Sequence, residues 1–365
     1  CLAAAICLGG CQQGPVEPSE ADPAKFSVGA GFSQEEGGCH AALAQAVTAA
    51  LEGTGMQLTA QASDGLQVKQ NYQIQQMLQA GLDALAVNLQ ERSSADQVIA
   101  LAQEEEVPVV FFGAQPLDGQ LESWENAYYV GTDLAEAGRL SGEALAQLWQ
   151  QNTSQLDTDA DGVLSLAILR GRAGDKDSVL YAQGVIEALE EAGVSYQLLE
   201  NQAVDWDRNA AAKAADDLVD EYGASLEAVF CGSDDIALGA AQTLEAYGYF
   251  ETENGMPTPV FGVGSLPEAQ DAVRAGRLYA TVDCRYEEIG DAVAELCFLA
   301  ACGYPGGGEY LNYTLEGQSL FLTPQLMTRE ELGELEEETP AGLSDTAGQS
   351  DTAGESDTAG ESDLV

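Results

Sequence analysis

Residues 84–112 read ALAVNLQERSSADQVIALAQEEEVPVVFF. Ala84–Leu89 is a short apolar run, Ser94–Glu106 has helical periodicity, and Val107–Phe112 is a second apolar run. A strand, a helix and a strand in this order make a βαβ unit of a parallel sheet. The strands are near-continuously apolar, as expected when both faces of the sheet are covered.

The unit repeats in both directions along the chain. Strand-like runs lie at Phe26–Gly31, Leu58–Ala62, Tyr128–Gly131, Val163–Leu169, Glu227–Cys231, Pro259–Val263 and Leu278–Val282. Helix-period stretches separate them: Ala41–Leu51, Gln67–Ala80, Leu134–Gln150, Ser178–Ala192, Asn209–Tyr222, Asp235–Tyr247, Pro267–Ala275 and Glu287–Cys302. This is more than one simple doubly wound domain uses. A chain of 365 residues predicts two α/β lobes, each a parallel sheet of about five strands. Ser265-Leu-Pro-Glu268 and Thr328-Arg-Glu-Glu331 have capping-box spacing at helix starts. In open α/β sheets a ligand sits beyond the carboxyl ends of the strands. That singles out the loops at Phe32–Cys39, Asn88–Arg92, Gly113–Pro116, Arg170–Asp177, Asp205–Asp207, Gly232–Asp235, Gly264–Leu266 and Asp283–Tyr286.

Charge excludes whole classes of partner. The chain holds 61 Asp and Glu against 13 Lys and Arg, a net −48, so a nucleic-acid backbone would be repelled over the surface. Adsorption to an anionic membrane through basic patches fails for the same reason. The field favours neutral or cationic small ligands over anionic ones. A single histidine, His40, leaves one possible imidazole base. No P-loop or nucleophile elbow is present, and no carboxylate pair stands out among the acids, which argues against an enzyme.

Both ends differ from the body. Residues 1–10 form a short apolar stretch ending in Leu8-Gly-Gly before Cys11, which resembles a bacterial lipobox at the end of a truncated signal peptide. That resemblance implies that Cys11 is the lipid-bearing mature N-terminus. It also makes the anchor the only membrane attachment, with the Pro-rich acidic residues 11–24 as a tether. Residues 339–365 contain the repeats SDTAGQ, SDTAGE and SDTAGE; lacking aromatic and β-branched apolar residues, they read as a solvated acidic tail. Among the cysteines, Cys39, Cys231, Cys284, Cys297 and Cys302 lie in the body, an odd count without paired spacing that argues against a disulfide framework.

The most specific motif is Asp157-Thr-Asp-Ala-Asp-Gly-Val-Leu-Ser165. Acids at alternate positions 1, 3 and 5 and a glycine at 6 match a calcium loop, in which hard oxygen ligands converge on one cation. Val163 offers a backbone carbonyl and Ser165 a hydroxyl. Position 12 is Ile168 rather than a bidentate Glu, and a strand follows instead of a helix. A further carboxylate must therefore come from elsewhere in the fold; the plain alternative is an acidic turn.

Several segments together resemble the periplasmic galactose/glucose-binding protein family of ABC sugar importers. They are Ala84-Leu-Ala-Val-Asn88, Val107–Phe112, Ala127-Tyr-Tyr-Val-Gly-Thr-Asp133, Leu156–Gly162, Asp205-Trp-Asp207, Ser233-Asp-Asp-Ile-Ala-Leu-Gly239 and Val260–Glu268. The likeness spans about Lys25 to Glu338. It implies a type I periplasmic-binding fold: two doubly wound lobes joined by three crossovers, near Phe112–Gln115, Val282–Tyr286 and Phe321–Pro324. The lobes would be 25–112 plus 285–321 and 113–284 plus 322–338. It also implies Glu227 as the remote calcium ligand, with Ser165 in place of the family's Gln.

By the same resemblance, Asn88, Asp177 and Trp206 are ligand-binding residues, with the Trp stacking on a pyranose face. Asp175 and Tyr181 replace the family's His and Arg, Ser233 its Asn, Gly264 its second Asp and Cys284 its hinge Asn. Glu35 or Glu36 could replace its N-terminal Asp, and Asp283 is a candidate from its position in a post-strand loop. Each has a plain alternative. Asn88 could serve only the backbone at a strand end, Trp206 could fill an interdomain gap, and Asp177, Asp207 and Asp234 could cap helices. So many departures argue against galactose and glucose, since buried polar groups must be re-paired for a different ligand. The expected protein is a monomeric, calcium-stabilised, extracytoplasmic solute-binding lipoprotein that passes a monosaccharide or related neutral polyol to an ABC permease. The competing expectation is a sugar-sensing receptor lipoprotein with no transport role.

Overall fold

A computed structural model describes residues 15–33, 37–251 and 256–338. Twelve strands among these residues form two six-stranded sheets. The first contains β1 (Ser27–Phe32), β2 (Gln57–Ala62), β3 (Ala84–Val87), β4 (Val109–Phe112), β5 (Ala127–Thr132) and β11 (Ser319–Leu322), in the order β11-β5-β4-β3-β1-β2. The second contains β6 (Leu164–Arg170), β7 (Tyr196–Ala203), β8 (Ala228–Cys231), β9 (Val260–Val263), β10 (Ala280–Asp283) and β12 (Gln325–Thr328), in the order β12-β10-β9-β8-β6-β7. All pairings are parallel except β10 with β12.

Among the described residues ten α-helices flank the sheets: α1 (Gly38–Gly53), α2 (Gln67–Ala80), α3 (Ala95–Glu104), α4 (Leu134–Leu156), α5 (Lys176–Glu191), α6 (Arg208–Tyr222), α7 (Asp234–Ala246), α8 (Pro267–Ala275), α9 (Tyr286–Ala301) and α10 (Arg329–Glu338). Successive side chains of a strand point to opposite faces. Accordingly Ala84 and Ala86 of β3 join one core layer, with Val47 of α1 and Val293 of α9. Leu85 and Val87 join the other, with Ile74 of α2 and Val98 of α3. The second sheet is likewise filled on both faces: Leu166 and Ile168 of β6 pack with Leu145 and Val185, while Ala167 and Leu169 pack with Leu218 and Ile236. The two-lobed α/β architecture expected from the sequence is present, with six strands per lobe rather than about five.

The chain crosses between lobes after β5, after β10 and between β11 and β12. The first crossing therefore falls at Thr132–Asp133, not at Phe112–Gln115. Residues 113–126 stay with the first lobe because the buried run Ala127–Val130 pairs with β4. Gln318 reinforces this by donating to the carbonyls of Trp124 (2.7 Å) and Ala127 (2.6 Å). The other two crossings lie within the expected ranges. Thr132 Oγ1 donates to the Cys284 carbonyl, which ties the first two crossovers together.

Residues 15–24 are not a free tether. Val16 N–H donates to the Cys302 carbonyl (2.9 Å), Tyr310 to Glu17 (2.6 Å) and Gln57 Nε2 to the Ala24 carbonyl (2.7 Å), which binds this stretch to the first lobe. Cys11 and residues 339–365 lie outside the described residues. The capping box forms at Thr328, whose N–H donates to Glu331 at 3.1 Å. The one expected at Ser265 does not. The N-cap of α8 is Leu266, and the Glu268 carboxylate is drawn away by the Arg208 guanidinium at 2.8–3.0 Å.

Candidate ligand-binding cleft

The carboxyl ends of both sheets face one another across a cleft of about 810 Å³. Its walls come from both lobes. Asn88, Arg92, Tyr129 and the start of α1 contribute from the first; Asp175, Asp177, Trp206, Ser233 and Asp235 contribute from the second.

Asn88 directly follows β3 and is 8% exposed. Its Oδ1 accepts from the backbone N–H (3.4 Å) and hydroxyl of Ser33, and its Nδ2 donates to the Phe112 carbonyl (3.0 Å). One amide hydrogen is left over, so the backbone role does not exclude a ligand role. Trp206 is partly buried, with φ +62°, beside Asp205 at +52°. Its ring lies against Gly171, where a Cβ would sit 2.0 Å from the indole. From the opposite lobe His40 approaches the ring edge-to-face, with centroids 6.2 Å apart. Burial pushes the His40 imidazole below its usual pKa; Asp235 and Asp175 oppose that shift, and Arg172 adds to it.

Asp175 is the N-cap of α5 and accepts from the Asp177 N–H at 3.3 Å. Asp177 thus sits in the first turn of the helix and lines the cleft. Burial, then repulsion from Asp175, pushes its carboxyl up to about 7, against the opposing pull of Arg92 and Lys176. Ser233 caps α7 by accepting from the Ile236 N–H (3.3 Å), and Asp207 caps α6 by accepting from the Ala210 N–H (2.7 Å). Asp234 is fully buried, accepts from Thr281 Oγ1 (2.6 Å) and the Leu266 N–H (2.7 Å), and burial pushes it up to about 7.

Two expected ligand residues lie elsewhere, and one is outside the described residues. Tyr181 is 1% exposed in the core of the second lobe, where its hydroxyl donates to Ser141 Oγ (3.3 Å). Six residues into α5, it faces α4 instead of the cleft. Asp283 lines a separate groove along α1 and α9, its Oδ1 accepting from the Arg285 N–H (2.7 Å). Glu35 falls outside the described residues. Sequence reasoning missed Tyr129, Arg92 and Arg172 as wall residues. Both arginines lie in post-strand loops marked by the sheet rule, but nothing in their spacing distinguishes them. Tyr129 sits inside β5 and carries no local signal.

The aspartate loop joins α4 to β6. Asp157 Oδ1 accepts from the Asp161 N–H (3.1 Å) and Oδ2 from the Gly162 N–H (3.0 Å), while Asp161 Oδ1 accepts from the Val163 N–H (2.7 Å). Glu227, 2% exposed, reaches in beside the loop and accepts from the Thr158 (2.8 Å) and Ser165 (2.9 Å) N–H groups. Carboxylate oxygens of Asp157, Asp159 and Glu227 lie within 4.8 Å of one another, a grouping able to hold a metal ion. Asp161 is not part of that trio; its Oδ1 accepts from the Val163 N–H. Burial, with Asp159 and Asp157 as like charges, pushes the Glu227 carboxyl above its usual range.

Two hinged α/β lobes enclosing a cleft lined by an indole and a few placed polar groups define a binding protein for a small solute. The chain belongs to the periplasmic binding protein family: the model of the periplasmic binding protein domain matches residues 33–305. It is 34% identical over 247 residues to the D-galactose/methyl-galactoside binding periplasmic protein MglB of Haemophilus influenzae, covering 66% of this chain and 71% of that one. It is also 31% identical over 125 residues to the D-allose-binding periplasmic protein of Escherichia coli, covering 34% of this chain and 38% of that one. A solute-binding protein of Actinobacillus succinogenes with bound D-allose superposes with TM-score 0.73 at 15% identity, covering 85% of this chain and 99% of that one. One of Bacillus halodurans with bound myo-inositol superposes at 0.71 and 20% identity, covering 87% and 99%.

Proposed function

We propose that this chain is the extracytoplasmic solute-binding component of an ABC importer and closes its lobes over a monosaccharide or related neutral polyol. The observation that carries this reading is the meeting of Trp206, Asp177 and Asn88 in one cleft, from segments that follow three different strands. An indole offers a flat apolar face to a ring, and the carboxylate and amide take up its hydroxyls. The cleft wall holds the acids Glu91, Asp175, Asp177, Asp205, Asp207 and Asp235 against the bases Arg92, Arg172 and Arg208, a balance that disfavours an anionic ligand. The relatives named for D-galactose and D-allose support a sugar as the class.

Three further elements belong to the proposal: a monomer that delivers its ligand to a membrane permease, a lipid on Cys11, and Ca²⁺ in the aspartate loop. An all-oxygen set containing a buried, charge-crowded Glu227 suits a hard divalent cation, which would be held by Asp157, Asp159 and Glu227. The Val163 carbonyl and the Ser165 hydroxyl complete the proposed set. A thermal-shift screen against hexoses, pentoses, inositols and sugar acids, followed by calorimetry, tests the ligand class. Stabilisation by neutral polyols is expected; stabilisation by sugar acids alone would overturn it.

A further inference from the structure

We propose that Asp235 is an interlobe latch that holds the cleft closed before any ligand enters. The inference rests on the reading of the chain as a two-lobed binding protein. The first turn of a helix leaves N–H groups without intrahelical partners. In α1 the N-cap is Gly37, which has no side chain to accept them. Asp235, the second residue of α7 in the opposite lobe, supplies the acceptor: its Oδ2 receives the Cys39 N–H at 3.4 Å. Gly38 makes the approach possible, because a Cβ there would lie 1.5 Å from that oxygen.

The carboxylate is free to reach across because Ser233, not Asp235, caps α7. Its other oxygen lies 3.9 Å from Arg208 Nη2, and Arg208 is itself forked onto Glu268. A cation fixed by one carboxylate thus orients the other toward the positive end of α1. The same residue adds a second bond between lobes, as the Cys39 thiol donates to the Val263 carbonyl at 3.4 Å. Asp235 is therefore a positioning residue for closure. A ligand meeting a chain that is closed only part of the time binds more weakly in proportion to that fraction.

The test uses the full chain without ligand. Asp235→Ala should raise the radius of gyration in small-angle scattering and increase quenching of tryptophan fluorescence by neutral acrylamide, since Trp206 lies in the cleft. Asp235→Asn, which keeps an acceptor but loses the charge, should fall between. Arg208→Gln, which frees the other oxygen, should also open the lobes partway and serves if Asp235→Ala fails to fold. Wild-type scattering and quenching from every variant that folds would overturn the latch. Because no sugar is added, a chain that opens as expected yet binds no polyol would refute the proposed function and leave the latch standing.

Discussion

Asp205 and Trp206 both occupy the left-handed backbone region, which disfavours residues bearing a Cβ and is kept only where the surroundings enforce it. Here the turn swings the indole over Gly171 and into the cleft. Trp206→Ala should therefore cost about 1–3 kcal/mol of affinity for whichever polyol the screen identifies, the scale of burying one large apolar side chain. Calorimetry checks this, and undiminished affinity would place the ligand elsewhere. Asp177 makes a separate expectation. Its pKa is raised to about 7, so the free chain binds this proton more tightly than the unfolded chain does, and ionising it on going from about pH 4 to pH 7 costs stability. A ligand that donates hydroxyls favours the ionised form, so binding should release a proton. Affinity should then weaken on the order of tenfold per pH unit below 7. Asp177→Asn should flatten that profile; Asp234, raised to a similar value but fully buried with Thr281, would leave it unchanged.

Among the elements, the aspartate loop carries the sharpest expectation. A metal held only by the folded chain stabilises it by RT ln(1 + [Ca²⁺]/Kd), about 2.7 kcal/mol at a hundredfold excess over Kd. Chelation should lower the melting temperature, and Asp159→Ala should abolish that response. A chain that melts identically with and without chelator would remove calcium from the account. The loop was legible as a motif because its acids are local in sequence. Glu227 was reachable only through family resemblance, since nothing in its surroundings marks it as the partner of a loop some sixty residues earlier. Strands differed in the same way. Buried β3 and β4 announce themselves by continuous apolar runs. Edge strand β7, with the mostly exposed residues Gln197, Glu200, Asn201 and Gln202, carries no such run and was not foreseen. Tyr181 shows the limit for helices: position relative to a motif suggested the cleft, but the turn of α5 it occupies faces α4.

For the whole molecule, the number of lobes was readable from how often the βαβ unit recurs, while the first crossover was not. Nothing in residues 113–126 says which lobe they join, and the pairing of β5 with β4, with the Gln318 bonds, assigns them to the first. If Cys11 carries the anchor, Cys11→Ala should move the protein from the membrane fraction to the soluble fraction. Continued membrane association would require another attachment.

Because the chain passes between lobes three times, neither half is complete until the last crossing is reached. The second sheet draws five of its six strands from the continuous stretch between α4 and β10. The first lacks β11 until residue 322 is made, and the α9 residues Ile289, Val293 and Leu296 that fill one of its core layers arrive only shortly before. During synthesis each lobe can thus pair five of its six strands early, but both wait for nearly the whole chain to emerge from the ribosome, the first for α9 and β11 and the second for Met327 of β12 and Leu332 of α10.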